Sequence, residues 1–110
     1  MTAAQPSMRL IVPYLGRLPR MLDLWLESCR RNPHVDWLVT NDYPQEREYP
    51  PNVSFLQQSA DQLLARMRDK VGVAPEPFHP YKLCDFKATY GVMFEEELAG
   101  YDYWGVCDLD

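Results

Sequence analysis

The sequence predicts an α/β fold with a Rossmann-like, mainly parallel sheet, and two observations support this prediction. First, short apolar runs alternate with longer segments in which apolar residues recur at helical spacing. Such alternation is typical of a parallel sheet with helices on its faces. Second, the apolar runs are nearly continuous, as expected for strands that are covered on both faces.

Three strands and one helix are predicted in the first half of the chain. The strand candidates span residues 8–12, 36–40 and 53–56. Pro19 is expected in the first turn of a helix whose apolar residues continue at helical spacing to Cys29. Asn32 and Pro33 end that helix, and residues 43–52, which contain three prolines, are predicted to form a loop.

The second half is predicted to contain two helices and a fourth strand. Ser59 followed by Gln62 is the pattern of a capping box at a helix start, and Gly72 is placed to end that helix. An apolar stripe at steps of three and four residues predicts a further helix over residues 81–98. The apolar run over residues 103–109 predicts a buried strand.

Composition and charge narrow the class of protein. A chain of 110 residues is enough for one domain, and 46% hydrophobic with 25% charged residues is typical of a folded protein. The net charge of -5 argues against a nucleic-acid partner, which requires a basic surface. Because the last strand pattern runs to the end of the sequence, we expect residues 1–110 to be an incomplete amino-terminal domain.

The sequence also bears on location. The first residues lack the charged and apolar regions of a signal peptide, and no apolar run approaches the roughly 18 residues of a transmembrane segment. The three cysteines are an odd number and lack zinc-finger or redox spacing, so we expect reduced, mostly buried thiols. Together these features predict a cytoplasmic protein.

Polar and aromatic residues follow three of the predicted strands. Ligands of open α/β sheets bind outside the carboxyl ends of the strands, where residues 13–14, 41–42 and 108–110 are expected to meet. In a strand, Asp108 and Asp110 would point to the same side. Two adjacent carboxylates repel unless a cation lies between them, and oxygen ligands suit Mg²⁺ or Mn²⁺. The alternative is a solvated strand end without a ligand.

Charged residues on the last predicted helix form a second candidate group. Lys82, Asp85 and Thr89 share one face of a regular α-helix. Lys87 is turned about 140° from Lys82, so we expect Lys87 to lie on the surface or to pack elsewhere. The alternative for the first group is an exposed ion pair that contributes a few tenths of a kcal/mol.

Several longer motifs together resemble an uncharacterised bacterial family of GT-A-type glycosyltransferases. They are Val-Pro-Tyr-Leu-Gly-Arg-Leu-Pro at 12–19, Leu-Trp-Leu-Glu-Ser-Cys at 24–29, Asp-Trp-Leu at 36–38, Pro-Tyr-Lys-Leu-Cys-Asp-Phe-Lys at 80–87, and Trp-Gly-Val-Cys-Asp-Leu-Asp at 104–110. The resemblance covers nearly the whole chain. It implies the amino-terminal, nucleotide-binding half of a GT-A fold, truncated after the strand that carries the DxD motif.

The resemblance also implies the ligands and the residues that bind them. Asp108 and Asp110 match the DxD that binds Mn²⁺ or Mg²⁺ together with a nucleotide-diphosphate sugar, for which a UDP-sugar is expected. Tyr14 and Asp42 match positions that commonly hold the donor base and ribose, and Pro13 is expected among the donor-binding residues as well. The donor-binding residues on the helix would be Lys82 and Asp85, although Cys84 and Ala88 stand where related transferases have Ser and Arg. Lys82 or Lys87 is the candidate to take the place of that Arg.

The implied function is transfer of a hexose to a glycan or other acceptor, with the acceptor site in a further part of the protein. No catalytic residue is predicted. Two alternatives remain open at this stage. The first is a non-catalytic or degenerate nucleotide-binding domain, and the second is an Asp-based phosphotransferase with Asp108 as nucleophile. In that second class, however, the acidic pair usually follows the first strand rather than the fourth.

Overall fold

The computed structural model of the protein describes residues 5–45 and 47–109. These residues form four strands, two longer helices, one short helix and one 3₁₀ helix. In chain order they are β1 (Met8–Pro13), α1 (Leu22–Arg30), β2 (Val35–Asn41), β3 (Val53–Gln57), α2 (Ala60–Lys70), the 3₁₀ helix (Pro80–Thr89), α3 (Tyr90–Met93) and β4 (Tyr103–Val106). Among the described residues, no helix is long and apolar enough to cross a membrane.

The four strands form one sheet in the order β3-β2-β1-β4, and each neighbouring pair is parallel. The predicted α/β class with a Rossmann-like parallel sheet is therefore confirmed. The first three strand candidates lie within one or two residues of the observed strands. Their continuous apolar runs reflect cover on both faces of the sheet.

Helices cover both faces of the sheet. Neighbouring residues of a strand point to opposite faces, and β1 shows this with Ile11 in one core cluster and Val12 in the other. The cluster around Ile11 contains buried residues of α2, the 3₁₀ helix and α3. The cluster around Val12 contains the buried side of α1. The result is a three-layer α/β/α arrangement.

The start and end of α2 agree with the sequence pattern. The Ser59 hydroxyl accepts a hydrogen bond from the Gln62 amide at 3.1 Å, and the Gln62 side chain accepts one from the Ser59 amide at 2.8 Å. This reciprocal pair is the predicted capping box. After the helix, Gly72 has a φ of +90°, a conformation that favours glycine.

The prediction of one regular helix over residues 81–98 is wrong. Pro80–Thr89 is a 3₁₀ helix, and only Tyr90–Met93 that follows is α-helical. The apolar stripe is nevertheless buried, with Leu83, Tyr90 and Phe94 all in the core. Leu83 and Phe86, the first two residues of the stripe, are three positions apart, which is compatible with a 3₁₀ helix and with an α-helix. The spacing of apolar residues therefore did not distinguish the two helix types.

Two element boundaries also differ from the prediction. Pro19 lies in a turn before α1, in which its carbonyl accepts a hydrogen bond from the Leu22 amide at 3.1 Å. The last strand ends at Val106, and it lies at an edge of the sheet because it pairs with β1 alone. Tyr103 and Trp104 are 59% and 42% exposed, so the expectation of a buried strand is wrong.

Candidate functional site

The strand order places a topological switch point between β1 and β4. From β1 the chain builds outward through β2 to β3, and it then returns to the other side of β1 to form β4. The connection that leaves β1 crosses one face of the sheet through α1, whereas the connection that enters β4 crosses the other face through α2, the 3₁₀ helix and α3. In α/β sheets, ligands bind in the crevice that forms outside the carboxyl ends of the strands at such a point.

A cavity of about 230 Å³ lies at this switch point. Residues 13–15, which end or follow β1, form one part of its wall, and residues 106–108 at the end of β4 form another. The 3₁₀ helix and α3 complete the wall. The structure thus brings together Pro13, Tyr14 and Asp108, which were predicted from the sequence to lie near one another.

The 3₁₀ helix decides which of its side chains face the cavity. With about three residues per turn, side chains at i, i+3 and i+6 lie in line. Tyr81, Cys84 and Lys87 are spaced in this way, and all three line the cavity. The sequence interpretation placed Lys87 on the surface or packed elsewhere because it assumed a regular α-helix, in which this lysine and Tyr81 would not lie in line.

Lys82 and Asp85 lie on another side of the same helix, outside the cavity wall. Their Nζ and Oδ2 atoms are 3.9 Å apart, and the two side chains are 53% and 65% exposed. This arrangement matches the solvated ion pair that was the alternative interpretation of the sequence. The structure therefore separates these two predicted donor-binding residues from Pro13, Tyr14 and Asp108.

An ion pair joins two elements of the cavity wall. The Nζ of Lys87 lies 3.1 Å from Oδ1 and 3.4 Å from Oδ2 of Asp108, so it contacts both carboxylate oxygens. The side chains are 37% and 64% exposed, respectively. At this exposure an ion pair of this kind contributes about 0.2–1 kcal/mol.

Asp110, the second predicted metal ligand, lies outside the described residues. Within the described part of the chain, no group of three or more His, Cys, Asp or Glu side chains is arranged to hold a metal ion. Among the described residues that line the cavity, Asp108 is the one with a carboxylate side chain.

The ends of β1 and β2 are held together by a buried amide. Asn41 is fully buried, and its Nδ2 donates hydrogen bonds to the carbonyls of Tyr14 at 2.7 Å and Gly16 at 2.9 Å. Its Oδ1 accepts a hydrogen bond from the Tyr43 amide at 3.0 Å. Asp42 adds a fourth contact, since its carboxylate accepts from the Gly16 amide at 2.7 Å.

These contacts give Asp42 a different place from the one predicted. Its carboxylate supports the loop that carries Tyr14, and Asp42 is not part of the cavity wall. Gly16, whose φ is +96°, allows the turn that brings its amide to this carboxylate. The ends of neighbouring parallel strands lie at one edge of the sheet, as the sequence predicts. The end of β1 lines the cavity, whereas Asp42, after the end of β2, supports the loop that follows β1.

Aromatic and phenolic groups shape the rest of the cavity. Tyr81 is 80% exposed and stacks on His79, with ring centroids 5.4 Å apart and planes 4° from parallel. Tyr90 is buried and its hydroxyl donates to the Leu83 carbonyl at 3.1 Å. Burial and, next, the nearby Cys84 and Asp108 raise the pKa of Tyr90, so this phenol stays protonated. Its burial and this hydrogen bond make it a fixed part of the wall.

The three cysteines are free thiols in different environments. Cys29 is buried, and burial followed by the influence of Cys107 raises the pKa of its thiol to about 12. Cys107 is half-buried, and Cys84 is exposed, contrary to the expectation of mostly buried thiols. Both of these line the cavity.

The fold and the cavity define a Rossmann-like α/β protein with a concave site at the carboxyl edge of its parallel sheet. The chain belongs to DUF6625, a family of unknown function, and the match covers residues 10–110. No curated protein and no solved structure matches the chain significantly. The family match includes every residue of the cavity wall and assigns no activity to it.

Proposed function

We propose that the protein is a metal-dependent glycosyltransferase of the GT-A type that binds a nucleotide-diphosphate sugar in this cavity. The observation that carries the proposal is the position of Asp108, which follows β4 and lines a cavity at the switch point of a parallel sheet. Ligands bind at such points, and an acid there is suited to hold a cation against a diphosphate. The sugar would pass to a hydroxyl of a glycan or other acceptor.

The cavity wall offers groups for each part of such a donor. Tyr14 and Tyr81 present aromatic rings suited to contact a planar base. Lys87 presents an ammonium group, which binds phosphate oxygens as a point charge. The placement of these groups supports a nucleotide with its diphosphate near Lys87 and Asp108.

The size of the cavity indicates that it holds only part of the donor. Its volume of about 230 Å³ lies below the roughly 300–1,000 Å³ that is usual for ligand pockets. We infer that the diphosphate and its neighbouring groups occupy the cavity, while the base extends over the exposed ring of Tyr81.

The chemistry of Asp108 fits a Mg²⁺ or Mn²⁺ ion. Mg²⁺ in proteins is usually held by one or two carboxylates together with water and substrate phosphates. Asp108 is largely exposed at the cavity, and Asp110 is the proposed second ligand. A bound divalent cation supplies Lewis-acid stabilisation for the leaving nucleoside diphosphate.

Isothermal titration calorimetry of the intact protein with UDP, GDP and CDP, each with and without Mn²⁺, tests the proposal. We expect one diphosphate to bind in a metal-dependent manner. Asp108→Asn should weaken that binding by about tenfold or more, because it removes a charged ligand of the cation. Asp85→Asn is the matched control, since Asp85 is as exposed as Asp108 but lies outside the cavity wall.

Equal binding by the wild-type protein and Asp108→Asn would reject this site. Equal weakening by both substitutions would also reject it, because the effect would then follow net charge rather than the cavity. Metal-dependent binding without sugar transfer or hydrolysis from any donor sugar would favour a non-catalytic nucleotide-binding protein.

A further inference from the structure

We propose that Lys87 competes with the cation for Asp108 and transfers to the donor diphosphate on binding, so that metal and nucleotide bind cooperatively. This inference rests on the proposed function and adds a means by which the site controls its own loading. It depends on the position of one ammonium group relative to one carboxylate.

The first step of the inference is the geometry of the ion pair. The Nζ of Lys87 lies within 3.4 Å of both carboxylate oxygens of Asp108. These oxygens are the atoms by which Asp108 would hold a divalent cation. An ammonium group and a divalent cation repel each other at that distance, so Asp108 cannot serve both at full strength.

The second step is that Lys87 can move without leaving the cavity. It lines the cavity from the 3₁₀ helix, and its flexible four-carbon stem is 37% exposed. A diphosphate in the cavity offers more negative charge than one carboxylate, and charge-assisted bonds to it are short and strong. Lys87 is therefore expected to contact the phosphate while Asp108 becomes available to the cation.

The third step is a consequence for binding order. Metal alone must displace Lys87 from Asp108, whereas metal that arrives with a nucleotide finds Lys87 already drawn to phosphate. Each ligand thus raises the affinity for the other, and by linkage the two factors are equal.

The test measures Mn²⁺ binding by the loss of the free-ion electron paramagnetic resonance signal, with and without UDP. Lys87→Met keeps the length of the side chain and removes its charge. We expect it to bind Mn²⁺ alone about fivefold more tightly than the wild-type protein, because a like charge at ion-pair distance is removed. We expect metal-free UDP to bind about tenfold more weakly, because a charged phosphate contact is lost.

Lys82→Met is the matched control. It changes the net charge of the protein by the same amount, but Lys82 pairs with Asp85 outside the cavity wall. This variant should resemble the wild-type protein in both titrations. The cooperativity between Mn²⁺ and UDP should fall in Lys87→Met and persist in Lys82→Met.

Unchanged or weaker Mn²⁺ binding by Lys87→Met would overturn the inference, and so would equal changes in the two lysine variants. Failure of the proposed function gives a different result. In that case UDP does not bind the wild-type protein, and the Mn²⁺ titration is insensitive to Asp108→Asn. A wild-type protein that binds UDP and Mn²⁺ through Asp108, with no effect of Lys87→Met, would refute the role of Lys87 alone.

Discussion

Replacement of Asn41 by Asp tests whether the buried amide between the first two strand ends positions the cavity wall. Asn41 donates to the carbonyls of Tyr14 and Gly16 and accepts from the amide of Tyr43. The substitution Asn41→Asp keeps the size of the side chain and its acceptor oxygen. It replaces the amide group that serves both carbonyls by a second oxygen.

The structure sets the expected loss of stability. Two hydrogen bonds at about 0.5–1.5 kcal/mol each give roughly 1–3 kcal/mol, and a carboxylate facing two carbonyls in a fully buried position adds to this. The free energy of unfolding falls by about 1–3 kcal/mol for each molar of urea. The urea concentration at the unfolding midpoint should therefore fall by roughly 1 M. Tryptophan fluorescence during urea titration measures this shift.

Asn52 provides a matched control within the same sheet. Its Nδ2 donates to the carbonyls of Cys29, Asn32 and Val35 at 2.8, 3.1 and 2.9 Å. These groups precede or begin β2, at the end of that strand away from the cavity. Asn52→Asp removes the two N–H groups that these three carbonyls share, and it should destabilise the protein by a comparable amount.

The two variants should differ in ligand binding under conditions where both are folded. Asn41→Asp should weaken binding of UDP with Mn²⁺ by about tenfold, since the loop that carries Tyr14 loses its support. Asn52→Asp should leave the affinity within about twofold, as expected for a distant and independent site. Equal losses of affinity would show that binding follows global stability and would refute a positioning role for Asn41.

Two further perturbations test other parts of the fold. Glu97→Gln should cost about 1–3 kcal/mol at neutral pH, because Glu97 makes two hydrogen bonds to Arg66 at 2.6 and 3.1 Å in a half-buried position. Burial opposes ionisation of Glu97, but the hydrogen bonds and charge of Arg66 outweigh it and hold the pKa of Glu97 below 4.5. The stability difference from the wild-type protein, measured by urea unfolding, should therefore be complete above pH 4.5 and vanish as the pH falls through the lowered pKa. Gly91→Ala should shift tryptophan emission to longer wavelength, since its Cβ would lie 2.7 Å from the Trp104 indole and push that ring toward solvent. Gly105→Ala should leave the emission unchanged, because its Cβ would meet only the end of a flexible leucine side chain.

The sheet was predictable because strands that are buried on both faces have nearly continuous apolar sequences. Continuous apolar runs located the first three strands, and the Ser59 and Gln62 pair located the start of α2. The order of strands has no such local signature. The exposed position of Trp104 follows from pairing of β4 with β1 alone, and nothing within the strand distinguishes an edge from a centre.

The site was predicted in part for a related reason. Strand ends of a parallel sheet share one edge, so the sequence alone places Tyr14 and Asp108 together. The place of Lys87 could not be predicted in this way, because the direction of its side chain depends on the number of residues per helical turn. At about 100° per residue Lys82 was the better candidate, whereas the three-residue turn of the 3₁₀ helix aligns Lys87 with Tyr81.

The 3₁₀ helix also explains why the cavity wall has chemically different ends. A 3₁₀ helix rises about 2.0 Å per residue, so side chains in line are spaced by about 6 Å, and Tyr81 and Lys87 begin about 12 Å apart. One face of the helix therefore presents an exposed aromatic ring at one end, a thiol at Cys84, and an ammonium group at the other. A nucleoside diphosphate has the same polarity, with a planar base at one end and negative charge at the other. An α-helix of this sequence would turn Lys87 away from that line, so the less common helix type is the feature on which the role proposed for Lys87 depends.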